Sequence, residues 1–154
     1  MSERGASVAL IMKGDEFVLI RRIQRAGDPW SGNFALPGGM IKAGETPEDA
    51  VLREVKEEVN LSFSRIDIRH ELPVAHPVSR PQMTVHPFVI YAKEIGTPVP
   101  GDEVAEARVV SLETRLNCTN PENGFPAFDF NGWIVWGLTY RIIQSYLNYK
   151  SQKS

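Results

Sequence analysis

Residues 46–60 spell out a helix with both of its ends, and the rest of the chain has to be arranged around it. Thr46 is a good N-cap, Pro47 suits the first helical position, and Asp49 stands where it can close a capping box. Ala50, Val51, Val55 and Val59 make an apolar stripe with Leu52 beside it, and Asn60 supplies a left-handed stop. The other side is acidic. At about 3.6 residues per turn, Glu54, Glu57 and Glu58 share one face, so their carboxylates can converge on a single point.

Most glutamate runs are simply solvated helix faces. Two costs weigh against that reading here. Glu54 and Glu58 are an i,i+4 like-charge pair, destabilising by about 0.2–0.5 kcal/mol. Glu57 and Glu58 also lie in the last turns, where the helix macrodipole disfavours anions by a similar small amount. A bound cation would turn both costs into affinity. Hard divalent cations such as Mg²⁺ take oxygen ligands, and a phosphate-bearing substrate supplies some of them. Arg53 has two candidate partners, Glu57 one turn onward and Glu45 in the preceding loop, and the sequence leaves both open. Gly38, Gly39 and Gly44 allow that loop to turn sharply and bring backbone close to a ligand.

The chain of 154 residues is 42% apolar and 23% charged, which describes a globular protein read as one domain over residues 1–154. A net charge of -2 argues against a general nucleic-acid or membrane binder, which carries basic excess. Cys118 is the single cysteine, so no internal disulfide exists, and it reads as a small filler. The apolar run Val8 to Met12 is too short for a signal core or a span, and a cytoplasmic enzyme is the default.

Ser7 to Met12 and Phe17 to Arg22 predict a hairpin around Lys13-Gly14-Asp15-Glu16. Arg25 to Asn33 reads as loop, and Phe34 to Leu36 as a short apolar stretch. Strands are expected within Ser64 to Leu72, Thr84 to Lys93 and Arg108 to Leu112. Loops are expected at Pro73 to Pro81 (or a strand edge), at Pro98 to Glu106, and over the Pro-, Gly- and Asn-rich segment 117–131. Ile134, Leu138, Ile142, Ile143 and Leu147 predict a final helix from about Gly132 to Tyr149. Strands, helix, strands, helix is the order of an α/β (α+β) fold with a mixed sheet sandwiched by helices.

The segment GMIKAGETPEDAVLREVKEEVNL, residues 39–61, resembles the Nudix box, G-x5-E-x7-R-E-U-x-E-E-x-G-U with U apolar. Gly39, Glu45, Arg53, Glu54, Val55, Glu57, Glu58 and Leu61 match in register. Asn60 stands where the pattern has Gly, and Asn is the next-best residue for a left-handed stop. The likeness extends to the preceding strand pair, to Leu36-Pro37-Gly38-Gly39, and to Asp102–Leu112 as the downstream loop and strand.

The resemblance implies the Nudix fold and a MutT-like hydrolase that uses Mg²⁺ or Mn²⁺ to activate water against a pyrophosphate bond. Its implied metal ligands are Glu54, Glu57 and Glu58, with the backbone of Gly39 or Gly38. Arg53 and Glu45 would be orienters. The general base would be Glu54 or a downstream acid, with Glu103 preferred and Glu106 next.

On the substrate side, Arg22 and Arg25, with Arg21, could meet phosphates or be plain surface charges. Trp30 could stack on a base or anchor its loop. Phe125, Phe128 and Phe130 could wall a base or tether their segment. His70, His76 and His86 show no ligand spacing. The Arg-rich run over residues 21–39 and Trp136-Gly137-Leu138-Thr139 are similar to the coenzyme A diphosphatase branch, although Trp30 and Asp28 stand where that branch has His and Arg. The implied substrate is a small-molecule nucleoside diphosphate linked to another moiety, of coenzyme A, dinucleotide or nucleotide-sugar type. Two alternatives stand beside it: a nucleoside triphosphate pyrophosphohydrolase, and a non-catalytic nucleotide-binding module. A homodimer is left open.

Overall fold

The structure is a computed structural model and describes residues 5–26 and 32–153. In chain order its strands are β1 (Gly5–Lys13), β2 (Glu16–Arg22), β3 (Phe34–Ala35) and β4 (Gly38–Met40), then helix α1 (Pro47–Val59). There follow β5 (Ile68–Glu71), β6 (Thr84–Tyr91), β7 (Val104–Ser111), β8 (Leu116–Thr119), β9 (Pro126–Phe130), β10 (Trp133–Trp136) and helix α2 (Gly137–Lys153).

β1 and β2 form the expected hairpin, closing at Lys13↔Glu16 with Gly14 in the turn at φ 60°. The two strands then part. The first half of β1 pairs antiparallel with β4, Ser7 opposite Gly39 and Val8 opposite Gly38. Along its whole length β1 also pairs in parallel with β6, while β2 pairs with β3 and β7. This splay matters for the site, because it opens the place where the glycine loop enters the sheet.

Ala9–Met12 and Phe17–Ile20 are buried without a break. Alternate residues of such strands point to opposite faces, so both faces of the sheet must be covered. On one face Val51, Val55 and Val59 of α1 pack against Ala9, Ile11, Val18, Ile20, Phe88 and Ile90. The three valines are fully buried, worth about 1.5–3 kcal/mol each. On the other face Leu10, Met12, Phe17 and Leu19 meet Ile142, Ile143 and Tyr146 of α2 together with Phe128, Phe130 and Val135.

The helix signals at Thr46 and Asn60 operate as read. Thr46 Oγ1 accepts the Asp49 N–H at 3.1 Å, and Asp49 returns a carboxylate to the Thr46 N–H at 3.3 Å. Asn60 adopts φ 58°, ψ 34° and donates its backbone N–H to Lys56.

Segment 117–131 departs from the expectation of a loop. It contributes β8 and β9, which with β10 make a three-stranded antiparallel sheet. Phe128 and Phe130 are core residues of β9, whereas Phe125 lies exposed near Trp136, so these rings do not wall a base pocket together. The final helix begins at Gly137 rather than near Gly132. Asn131 and Gly132 both take positive φ, 53° and 95°, and turn a hairpin that places Ile134 in a strand. β7 likewise starts at Val104, inside the expected loop, and residues 65–67 form a 3-10 turn before β5. Among the described residues, no helix is long and apolar enough to cross a membrane.

Candidate active site

Pairing of β4 with β1 lays two glycines against the acidic face of α1. The Gly38 N–H donates to Glu58 Oε1 at 2.8 Å. At Gly39 an added Cβ would stand 2.6 Å from Glu54 Cδ, so the Glu54 carboxylate occupies the room that only a glycine leaves. Ser7, wholly buried opposite Gly39, donates its hydroxyl to the Pro47 carbonyl at 2.8 Å and fixes the first turn of α1 to β1. The sequence reading passed over Ser7. Its available signal was a hydroxyl inside the otherwise apolar Ala6–Leu10 run.

Glu58 is 5% exposed, and among the described residues no other charged side chain is so deeply buried. Burial is the main cause that pushes its carboxyl up to about 7. The negative charges of Glu54 and Glu103 push the same way, while the Gly38 N–H and the Arg22 guanidinium oppose them. Arg22 Nη1 lies 3.8 Å from Glu58 Oε2, beyond direct hydrogen bonding. Two like charges side by side, one of them desolvated, and a cradle of glycine backbone suit a hard divalent cation. Glu57 stands apart. Its side chain is 54% exposed and, among the described residues, pairs with Arg53 at 3.4 Å. Among the described residues no three His, Cys, Asp or Glu side chains stand together as a ready ligand set. The carboxylates of Glu54 and Glu58 therefore meet the glycine loop, and Glu57 sits at the rim.

Arg53 meets both of its candidate partners, Glu45 far more closely than Glu57. Its Nε and Nη2 donate to the two Glu45 oxygens at 2.7 and 2.9 Å, and Nη2 also reaches the Met40 carbonyl at 3.0 Å. Nη1 donates to Glu54 at 2.6 Å. The side-chain bond from Arg53, helped by the Lys42 N–H, holds the Glu45 carboxyl down at about 2. One planar guanidinium thus ties loop 40–45 to the helix and steadies Glu54. An ammonium cannot make that fork. Arg53→Lys is expected to lower turnover about 10- to 100-fold and to speed proteolysis within residues 41–45; unchanged kinetics and cleavage would refute the role.

Across the cleft, Arg25 Nη2 lies 3.1 Å from Glu103 Oε1, and the Ile23 N–H donates to the Glu103 carbonyl at 3.2 Å. Arg22, Ile23, Arg25 and Glu103 line one small cavity beside Glu58. Arg21 and Glu106 are engaged with each other instead, at 2.8 Å. Trp30 lies outside the described residues. Cys118 is half-buried on β8 with its thiol pushed up by burial, and the histidines are dispersed: His70 stacks on Tyr149, His76 meets the Met83 carbonyl and His86 meets Glu71.

A NUDIX domain profile matches residues 1–124. The chain belongs to the Nudix family. An ADP-ribose pyrophosphatase of Methanocaldococcus jannaschii is 49% identical over 51 residues, covering 33% of this chain and 29% of the relative. An 8-oxo-dGTP diphosphatase of Escherichia coli K12 is 37% identical over 81 residues, 49% of this chain and 61% of the relative. The chain thus spans less than two thirds of either relative. Among solved structures, a bifunctional NMN adenylyltransferase/ADP ribose pyrophosphatase of Francisella tularensis, complexed with AMP and a manganese ion, superposes with a TM-score of 0.69 at 22% identity. That match covers 96% of this chain and 42% of the other, and it concerns the fold.

Proposed function

We propose that this Nudix protein hydrolyses the pyrophosphate bond of a nucleoside diphosphate linked to a second moiety. The observation that carries the reading is the buried Glu58 carboxylate, bound to the Gly38 N–H and set beside Glu54 against Gly39. Glu54 and Glu58, with Glu57 from the rim and the Gly39 carbonyl, would hold Mg²⁺ or Mn²⁺. A cation held there would supply screening of the pyrophosphate charge and a lower pKa for the attacking water. Arg53 and Glu45 keep the glycine loop pressed to the helix. Glu103 accepts the proton of that water on its carboxylate, a step that contributes on the order of 10²–10⁴-fold. Arg22 and Arg25 pair with phosphate oxygens in exchange for their present carboxylate partners. Glu106 is less suited to the base role, because Arg21 first and Arg108 after it hold its carboxyl below the usual range.

The likeness to an ADP-ribose pyrophosphatase, 49% identical over 51 residues, supports a linked diphosphate. The likeness to an 8-oxo-dGTP diphosphatase supports the second reading, a nucleoside triphosphate pyrophosphohydrolase. Retention of Glu54, Glu57 and Glu58 together argues against a module that only binds.

The deciding experiment is a panel of ADP-ribose, a dinucleoside diphosphate, coenzyme A, a nucleotide sugar, dGTP and 8-oxo-dGTP with Mg²⁺ or Mn²⁺, products identified by ³¹P NMR. The expected product is a nucleoside monophosphate, or its coenzyme A counterpart, from a linked diphosphate. Cleavage of triphosphates alone would establish the second reading. Either cation should also raise thermal stability, by about 2.7 kcal/mol at a hundredfold excess over Kd. No turnover together with no thermal shift would end the hydrolase reading.

A further inference from the structure

The last carbonyls of a helix lack intrahelical donors, and in α1 they are met by the chain itself, from segment 98–103. The Val99 N–H donates to the Val59 carbonyl at 3.0 Å and the Gly101 N–H to the Glu58 carbonyl at 2.9 Å. Gly101 comes in so close that an added Cβ would collide with the Glu57 carbonyl. Two residues later the same segment delivers Glu103 to the cavity it shares with Arg22 and Arg25.

Asn60 completes this contact. Its backbone makes the left-handed stop of α1, and its side-chain Nδ2 donates to the Val99 carbonyl at 2.7 Å. Val99 is therefore held on both sides, N–H to Val59 and carbonyl to Asn60. A glycine would make the same turn with no side chain to donate. Val99, Asp102 and Glu103 are exposed while Pro98 is buried, so apolar burial anchors only the start of the segment, and polar bonds place the rest: those of Val99 and Gly101 to α1 and that of the Ile23 N–H to the Glu103 carbonyl.

We infer that Asn60 is a positioning residue: through the Val99 carbonyl its amide clamps segment 98–103 across the end of α1 and so sets Glu103 beside the Glu58 carboxylate. This rests on the hydrolase reading and on Glu103 as the proton acceptor. Glu58 and Asn60 are two residues apart on the chain, so one helix end supplies both a carboxylate of the site and the hook for the acid that faces it. The register between the two acids is thereby tied to the end of α1, with the Ile23 N–H holding the Glu103 carbonyl from the other side.

The test uses two variants that keep the left-handed stop and remove the donor, Asn60→Gly and Asn60→Asp, alone and combined with Glu103→Gln. In the metal-free protein both should speed amide exchange at Val99 and Gly101 by about three- to tenfold, the factor of one hydrogen bond, while exchange in β1 and β6 stays as in the parent. With the best substrate kcat should fall by a comparable about three- to tenfold factor, with KM within about twofold. In the Glu103→Gln background Asn60→Gly should cost nothing further, since one effect acts through the other. A parent protein that turns over no panel member overturns the hydrolase reading. An active parent whose variants keep full protection at Val99 and Gly101, or whose kcat losses add to that of Glu103→Gln, overturns the inference alone.

Discussion

Replacing Glu58 with Gln is expected to lower kcat on the order of 10²–10³-fold while leaving the metal-free fold at least as stable as the parent. The two halves of that result have one cause. Glu58 is a carboxylate kept out of water, with a hydrogen bond from Gly38 and an arginine 3.8 Å away. Gln keeps an acceptor for the Gly38 N–H and removes the charge. The sign of the stability change follows from the raised carboxyl, ordinary value 4.5 and about 7 in the fold. A group that binds its proton more tightly when folded contributes stability below its unfolded value and loses that contribution as pH climbs through the folded one. The metal-free parent should therefore weaken between about pH 4.5 and 7, and Glu58→Gln should not. Mg²⁺ or Mn²⁺ should restore stability to the parent at pH 8 and do much less for the variant. Thermal melts at pH 5 and pH 8, with and without either cation, read all of this. A variant with near-parental kcat, or one that unfolds at pH 8 where the parent does not, would remove Glu58 from the site.

What the sequence exposes and what it hides follows from the range of each interaction. The start and stop of α1 depend on residues within one turn of each other, Thr46 with Asp49 and Asn60 with Lys56, so both were legible. The facing acids Glu54 and Glu58 were legible for the same reason. The balance between the partners of Arg53 was not, because its close fork on Glu45, beside a longer contact to Glu57, depends on where β4 leads the loop, and β4 is placed by a register with β1 some thirty residues away. The place of Glu57 was not legible either: sharing a helix face does not by itself bring three long side chains together, and Arg53 holds this one at the rim. The small sheet of β8, β9 and β10 was hidden by its own turns, since strands of four or five residues are outweighed by the Asn, Pro and Gly that join them. The docking of Val99 and Gly101 on the end of α1 is a backbone contact across some forty residues, and no side-chain pattern announces it.

Gly38 and Gly39 are expected to fail in opposite ways when each is changed to Ala, and the contrast separates folding from chemistry within one dipeptide. At Gly38 the added Cβ would lie 2.7 Å from Val8 Cα and closer still to the Ser7 carbonyl, both backbone atoms of the central strand. Nothing there can swing aside. β4 would have to leave β1, and with it would go the Gly38 N–H bond to Glu58. The expected cost is about 1–3 kcal/mol or more, seen as a clear fall in Tm and in soluble yield. At Gly39 the clash is with the carboxylate end of Glu54, 2.6 Å from Cδ and 2.7 Å from Oε2. That side chain can rotate away at little cost to the fold. It would then abandon the position from which it would face the proposed cation, and displacement of a reacting group by about 1 Å costs on the order of 10²-fold in rate. Gly39→Ala should thus melt close to the parent, with or without a small change at low metal, and turn over about a hundredfold more slowly. Circular dichroism melts and single-substrate kinetics on the two variants check both halves. A stable, active Gly38→Ala would mean that β4 does not pair as described, and an active Gly39→Ala would mean that Glu54 works from somewhere else.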